Sequence, residues 1–160
     1  GDIEGDMATH QNDPNANALW FHFRAVIDWV SCTFPTYRRE MKGLKWGELY
    51  DKNKSRLLDS KQLEKELSQL IEDEEVQNVK GIYPYVLTRE EKYLNIREFS
   101  DKDKRIMFEK QQGVCPVCGK TFKIDEMEAD HIIPWADGGK TVLANGQMLC
   151  KMDNRTKSGK

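Results

Sequence analysis

The residues best suited to chemistry lie in the last 46 of the chain's 160 positions. Cys115 and Cys118 bracket two residues, a spacing with which one turn grips a single metal ion. Cys150 and Asp153 follow three residues apart. On a helical turn that spacing puts both side chains on one face. The four together make a Cys3Asp set for a structural zinc ion; a knuckle held by packing alone is the alternative. A thioredoxin-like redox pair is the weaker reading, because no βαβ pattern surrounds the thiols.

Asp130 and His131 are neighbours in Met127-Glu128-Ala129-Asp130-His131-Ile132-Ile133, which reads as a strand ended by Pro134. Neighbouring strand residues point to opposite faces, so the pair is expected to divide its labour. Asp130 offers oxygen to a hard cation, and Asn154 offers an amide carbonyl. A neutral imidazole with an ordinary pKa near 6.5 suits a general base. Lys157, three residues beyond Asn154, is placed to meet a phosphate. This chemistry fits hydrolysis of a phosphodiester, where both the attacking and the leaving oxygen develop negative charge that a single Mg2+ or Mn2+ can stabilise.

The order Cys115-Cys118, Asp130-His131, Asn145, Cys150, Asn154 resembles the HNH nuclease motif, or ββα-metal finger, of the zinc-knuckle type. Pro134, Gly138-Gly139 and Leu149-Cys150 fit the same pattern, and Asp153-Asn154-Arg155 is similar to the HNH domain of RNA-guided CRISPR nucleases. The resemblance implies that His131 is the general base and Asp130 a ligand of the catalytic metal. It further implies that Asn145 braces a loop through backbone hydrogen bonds, and that Asn154 is the second metal ligand in an H-N-N variant. It also implies a DNA substrate and products with 5′-phosphate and 3′-hydroxyl ends. The expected fourth zinc ligand in this family is cysteine, and Asp153 stands in its place. A looser resemblance, in Tyr37–Gly43 and Tyr93-Leu94-Asn95-Ile96-Arg97, is to proteins that carry a ParB-like NTPase domain before an HNH nuclease and are similar to type IV restriction systems. It implies a role in restriction or phage defence, with that NTPase domain absent from this chain.

Taken singly the residues are less telling. Thiol pairs occur in non-enzymatic zinc ribbons, Asn145 beside Gly146 reads as a turn, and Asn154 reads as helix surface. Their order carries the case. A zinc-stabilised DNA-binding module without cleavage is the alternative, and His131 counts against it, since binding alone has no use for an imidazole beside a hard-cation ligand.

The elements that must position these residues are expected to be α+β: a helical N-terminal region leading into the finger. Residues 1–15 read as a disordered tail, 16–112 as mainly helical, and 113–160 as the finger. Trp20, Phe23, Ile27, Val30 and Phe34 recur at spacings of three and four, predicting a helix after Pro14 that Pro35 ends. A second helix is expected over about 46–57. A third starts near Asp59 or Ser60 with Leu63, Leu67, Leu70 and Ile71 on one face, and the three pack together. Cys32 reads as a buried small side chain and His22 as an ordinary surface or core histidine. Residues 81–87 suggest a turn with a short strand or loop, 88–93 a short helix and 94–99 an extended piece. Ser100 and Asp103 form a capping-box pattern for a helix running to Gln112 and stopping at Gly113. The aromatics Trp20, Phe21, Phe23, Trp29, Phe34, Tyr37 and Trp46 exceed what three short helices need; if exposed, they imply a partner surface or an absent domain.

Net charge is −2, but residues 140–160 hold five bases (Lys140, Lys151, Arg155, Lys157, Lys160) against Asp153, a local +4 on the motif. Lys140, Arg155 and Lys157 are therefore the expected phosphate contacts, with compensating acids elsewhere, notably Glu72-Asp73-Glu74-Glu75. Backbone contacts carry little sequence information. Cutting both strands requires a homodimer or two successive nicks. No apolar run approaches the roughly 20 residues that span a bilayer, and no basic-then-apolar leader opens the chain, so a cytoplasmic location is expected.

Overall fold

The computed structural model describes residues 3–157. They divide into two compact units, residues 3–72 with Val79–Tyr93, and Asp73–Asn78 with residues 94–157. The architecture is α+β: helices dominate the first unit, and a two-stranded sheet lies in the second.

The first unit contains α1 (Ile3–His10), α2 (Asn17–Thr33), α3 (Trp46–Asn53), α4 (Ser60–Glu72) and α5 (Ile82–Thr88). Helix α1 falls where a disordered tail was expected; its described side chains are largely exposed, and local bonds such as Thr9 Oγ1 to the Gly5 carbonyl (2.9 Å) support it. Residues 1–2 of that expected tail lie outside the described residues. Helix α2 packs on α3 and α4, and α5 packs on α3 and α4. On α4, Leu63, Leu67 and Leu70 are buried as its apolar spacing demands, whereas Ile71 is exposed. Phe34, Trp46 and Tyr83 meet edge-on or tilted with centroids 5.2–5.7 Å apart, an arrangement favoured by the ring quadrupoles.

Three further expectations fail in this unit, the first of them in part. The stripe on α2 is core only at its C-terminal end: Trp20, Phe23 and Ile27 are exposed, Val30 is half-buried and Phe34 buried, while Val26 and Thr33 are the buried positions within the helix. Cys32 is exposed as well, because it lies off the face that carries Val26 and Thr33. Residues 82–88 are helical rather than extended. Pro84 stands in the first turn, where its missing N–H has no partner to lose, and burial of Ile82, Tyr83, Val86 and Leu87 overrides their strand propensity.

The second unit contains α6 (Asp101–Gln111), β1 (Met127–His131), β2 (Gly146–Cys150) and α7 (Lys151–Lys157). It also takes in Asp73–Asn78 and residues 94–112, which the sequence reading had assigned to the helical region. Val76 bridges Ile96 in antiparallel fashion, and the Arg97 N–H donates to the Glu75 carbonyl at 2.8 Å. The capping box closes α6: Ser100 Oγ accepts from the Asp103 N–H at 3.2 Å, and Asp103 Oδ2 accepts from the Ser100 N–H at 3.1 Å. The helix ends in two left-handed residues, Gln112 (φ 54°) and Gly113 (φ 71°). A side chain at Gly113 would meet the Phe122 carbonyl at 2.8 Å, so the stop is steric as well as conformational.

Strands β1 and β2 pair antiparallel in the register Met127↔Cys150, Ala129↔Met148, His131↔Gly146. The Gln111 side chain completes the outer edge of β2, its Oε1 accepting from the Met148 N–H (2.7 Å) and its Nε2 donating to the Met148 carbonyl (2.9 Å). Phe99, Met107, Met127, Met148 and Leu149 form the core between α6 and the hairpin.

Candidate active site and metal centre

Two groups of side chains flank the hairpin. The first is the knuckle. Val114 bridges Thr121, the Cys115 N–H donates to the Lys120 carbonyl (2.9 Å), and the Gly119 N–H donates to the Cys115 carbonyl (2.8 Å), a tight turn that presents both thiols. Cys150 closes β2 and Asp153 lies in the first turn of α7. One ligand atom from each of Cys115, Cys118, Cys150 and Asp153 lies within 4.8 Å of every other. Asp153 Oδ2 accepts from Cys115 Sγ at 3.2 Å and from Cys150 Sγ at 3.1 Å. Three sulfurs and a carboxylate oxygen this close suit a tetrahedral zinc ion.

Burial works to raise the Cys115 thiol, but the N–H groups of Cys118, Cys150 and Val117 outweigh it and hold it below its ordinary value. The Lys120 N–H favours the Cys118 thiolate, yet Asp153, burial and the two neighbouring thiols prevail and push Cys118 up to about 11. Asp153 is held below the usual carboxylate range by hydrogen bonds from Cys118, Cys150 and Cys115. Binding a metal here therefore expels protons from thiols that otherwise keep them.

The second group surrounds β1. Glu128 and Asp130 alternate along the strand and both meet α7. Asn154 Nδ2 donates to Glu128 Oε2 at 2.7 Å, and Lys157 Nζ sits 2.5 Å from Asp130 Oδ2. Gln147 Nε2 also donates to Asp130 Oδ2 at 3.0 Å. The Lys157 ammonium further contacts the His131 carbonyl, so a cation already lodges on the oxygens expected to favour one. His131 meets different partners: its imidazole lies 4.8 Å from the Phe99 ring, centroid to centroid, and its Nε2 is 2.9 Å from Thr141 Oγ1. Among the described residues, Glu128, Asp130 and His131 do not gather as the knuckle ligands do.

Asn145 sits under the loop that joins the strands. Its Oδ1 accepts from the Ile133 N–H (2.9 Å), and its Nδ2 donates to the carbonyls of Ile133 and Lys140 (both 3.0 Å). Only this amide orientation satisfies all three groups. Gly139 lies beside it: a Cβ there would fall 1.8 Å from the Ile133 carbonyl oxygen, so the loop closes only around glycine.

Of the expected phosphate contacts, Arg155 is exposed, Lys157 is held by Asp130, and Lys140 pairs with Asp73 at 2.8 Å. Trp135 Nε1 donates to the same carboxylate at 2.9 Å. The acids 73–75 thus do not lie elsewhere, and they reduce the local positive charge. Burial works to raise the Asp73 carboxyl, but Lys140, the Glu75 N–H and Trp135 hold it below the usual range. Glu75, Thr141, Phe99, Glu128 and Gln147 were not found by sequence reasoning. Glu128 alone left a local signal, its alternation with Asp130.

Residues 115–160 match the HNH endonuclease family model. No curated protein matches the chain. That match supports nuclease activity, and the cysteine cluster could hold a metal such as zinc. Among the described residues, no helix is long and apolar enough to cross a membrane.

Proposed function

We propose that the chain is a metal-dependent HNH endonuclease that hydrolyses DNA phosphodiester bonds, its finger spanning 113–160. The observation that carries this reading is the placement of Asp130 and His131 on one short strand with different partners, beside a helix bearing Asn154. Asp130 and Asn154, with Glu128 beside them, would hold Mg2+ or Mn2+. The lodging of the Lys157 ammonium on Asp130 supports a cation-favouring position there. When bound, that ion supplies charge neutralisation at the phosphate and the leaving oxygen.

The chain's own residues do the rest. His131 accepts a proton from water, the water oxygen bonds to phosphorus, and the bond to the 3′ oxygen breaks, that oxygen taking a proton from solvent water, to leave 5′-phosphate and 3′-hydroxyl ends. Asn145 braces the loop after His131. Lys157, once displaced from Asp130, Lys140 and Arg155 meet backbone phosphates. Cys115, Cys118, Cys150 and Asp153 bind zinc, which fixes the start of α7 and with it Asn154. Restriction or phage defence is the proposed setting, with an NTPase domain as a partner outside this chain.

The test is cleavage of supercoiled plasmid DNA by the purified chain with Mg2+, with Mn2+ and with EDTA. Nicked or linear product that requires the ion supports the proposal. DNA binding with no cleavage under any of these conditions would favour the zinc-stabilised binding module.

A further inference from the structure

Burying a carboxylate is costly unless its acceptors are used, and Glu75, 5% exposed, is buried within the second unit. Its Oε2 accepts from the Thr141 hydroxyl and from the Thr141 N–H (3.2 Å). The same hydroxyl contacts the Arg97 carbonyl at 3.0 Å and His131 Nε2 at 2.9 Å. A hydroxyl has one proton. Both the carboxylate and the carbonyl can only accept it, so whichever takes it, the Thr141 oxygen offers a lone pair to the imidazole. Nε2 must then carry the hydrogen, and Nδ1 is left as the basic nitrogen.

We propose that Glu75 and Thr141 are positioning residues for His131: they select the Nε2–H tautomer, aim Nδ1 at the attacking water, and stabilise the imidazolium formed when Nδ1 takes the proton. This rests on the nuclease reading above. The logic is that of an acid oriented behind a histidine base, with a hydroxyl between them. Glu75 is held for the task by its backbone: the Arg97 N–H donates to its carbonyl (2.8 Å), and its own N–H donates to Asp73 Oδ1 (3.1 Å). Phe99 packs the imidazole from the side. A residue 66 positions from Thr141 in the chain thus becomes part of the site.

The experiment combines plasmid cleavage with 15N NMR of the histidine rings in the full chain, His131→Ala identifying the signals. In the wild type, His131 is expected as the Nε2–H tautomer. Thr141→Val keeps the shape and removes the hydroxyl; the tautomers should mix and kcat should fall about 10–100-fold with KM little changed, the usual scale for a partner behind a reactive side chain. Thr141→Ser restores the hydroxyl and should restore both readouts. Glu75→Gln keeps an acceptor oxygen and removes the charge, so the tautomer should persist while kcat falls, a split that a purely structural role would not produce. Loss of cleavage in His131→Ala with wild-type rates in Thr141→Val and Glu75→Gln would overturn the relay and leave the nuclease reading standing. Cleavage retained in His131→Ala would overturn the assignment of His131 as the base and the relay with it, and no metal-dependent cleavage by the wild type would overturn the nuclease reading. An Nδ1–H tautomer in the wild type would overturn the relay whatever the activity.

Discussion

Replacing Asn145 isolates the contribution of one side chain to the loop that follows the proposed base. Asn145→Ala removes three hydrogen bonds, to the Ile133 N–H, the Ile133 carbonyl and the Lys140 carbonyl. At about 0.5–1.5 kcal/mol net for each bond, the sum is about 1.5–4.5 kcal/mol. Asn145 is half-buried, so water recovers part of this, and we expect a loss of about 2–3 kcal/mol. For a cooperative unit of this size the midpoint should drop by roughly 10–20 °C. Asn145→Asp is the sharper variant. It keeps the acceptor for the Ile133 N–H but turns an oxygen toward two carbonyls, so at neutral pH it should be at least as damaging as alanine. As pH falls toward the ordinary carboxyl pKa near 3.9, the protonated acid regains a donor and the gap to alanine should reverse. The assay is thermal unfolding followed by circular dichroism from about pH 4 to pH 7, with both variants at equal metal content. An aspartate variant as stable as wild type at neutral pH, or an alanine variant within about 0.5 kcal/mol of it, would refute the reasoning.

Other consequences are as direct. Metal analysis should find about one zinc per chain, and chelation should abolish the cooperative unfolding of the second unit; Asp153→Cys should hold zinc more tightly against the same chelator. Zinc affinity should rise with pH, because Cys118 must lose a proton that it otherwise keeps up to about 11. Asp130→Ala and Asn154→Ala should each shift the Mg2+ dependence of cleavage to higher concentration, and an unchanged titration would remove them as ligands. Asp73 has a folded pKa below its unfolded value, so its contribution is present at neutral pH and is lost as pH falls through the folded pKa. The stability difference between wild type and Asp73→Asn should therefore shrink on acidification below about pH 4, as urea titrations at successive pH values would measure.

What could be read from the sequence was local. The two-residue gap between Cys115 and Cys118 and the three-residue step from Cys150 to Asp153 led to the four-ligand cluster, because a turn and a helix fix those distances. Ser100 and Asp103 announced α6 for the same reason. The periodicity of α2 was also legible, but periodicity does not say whether a stripe is covered, and Trp20 and Phe23 are not. Residues 82–88 were misread because packing around Tyr83 outweighs β-branched propensity. Glu75 and Thr141 left no signal at all. Their approach to His131 depends on a segment far away in the chain, pinned by the Val76–Ile96 bridge, and no spacing rule reaches across 66 residues.

The central claim is that His131 activates the water that cuts DNA. It is tested most directly by comparing wild type and His131→Ala on supercoiled plasmid in Mg2+, with both proteins matched for zinc content and melting temperature. The account predicts nicking or linearisation by the wild type and a fall of about 10²–10⁴-fold in the variant. Cleavage at the wild-type rate by a folded, zinc-loaded His131→Ala chain would contradict it.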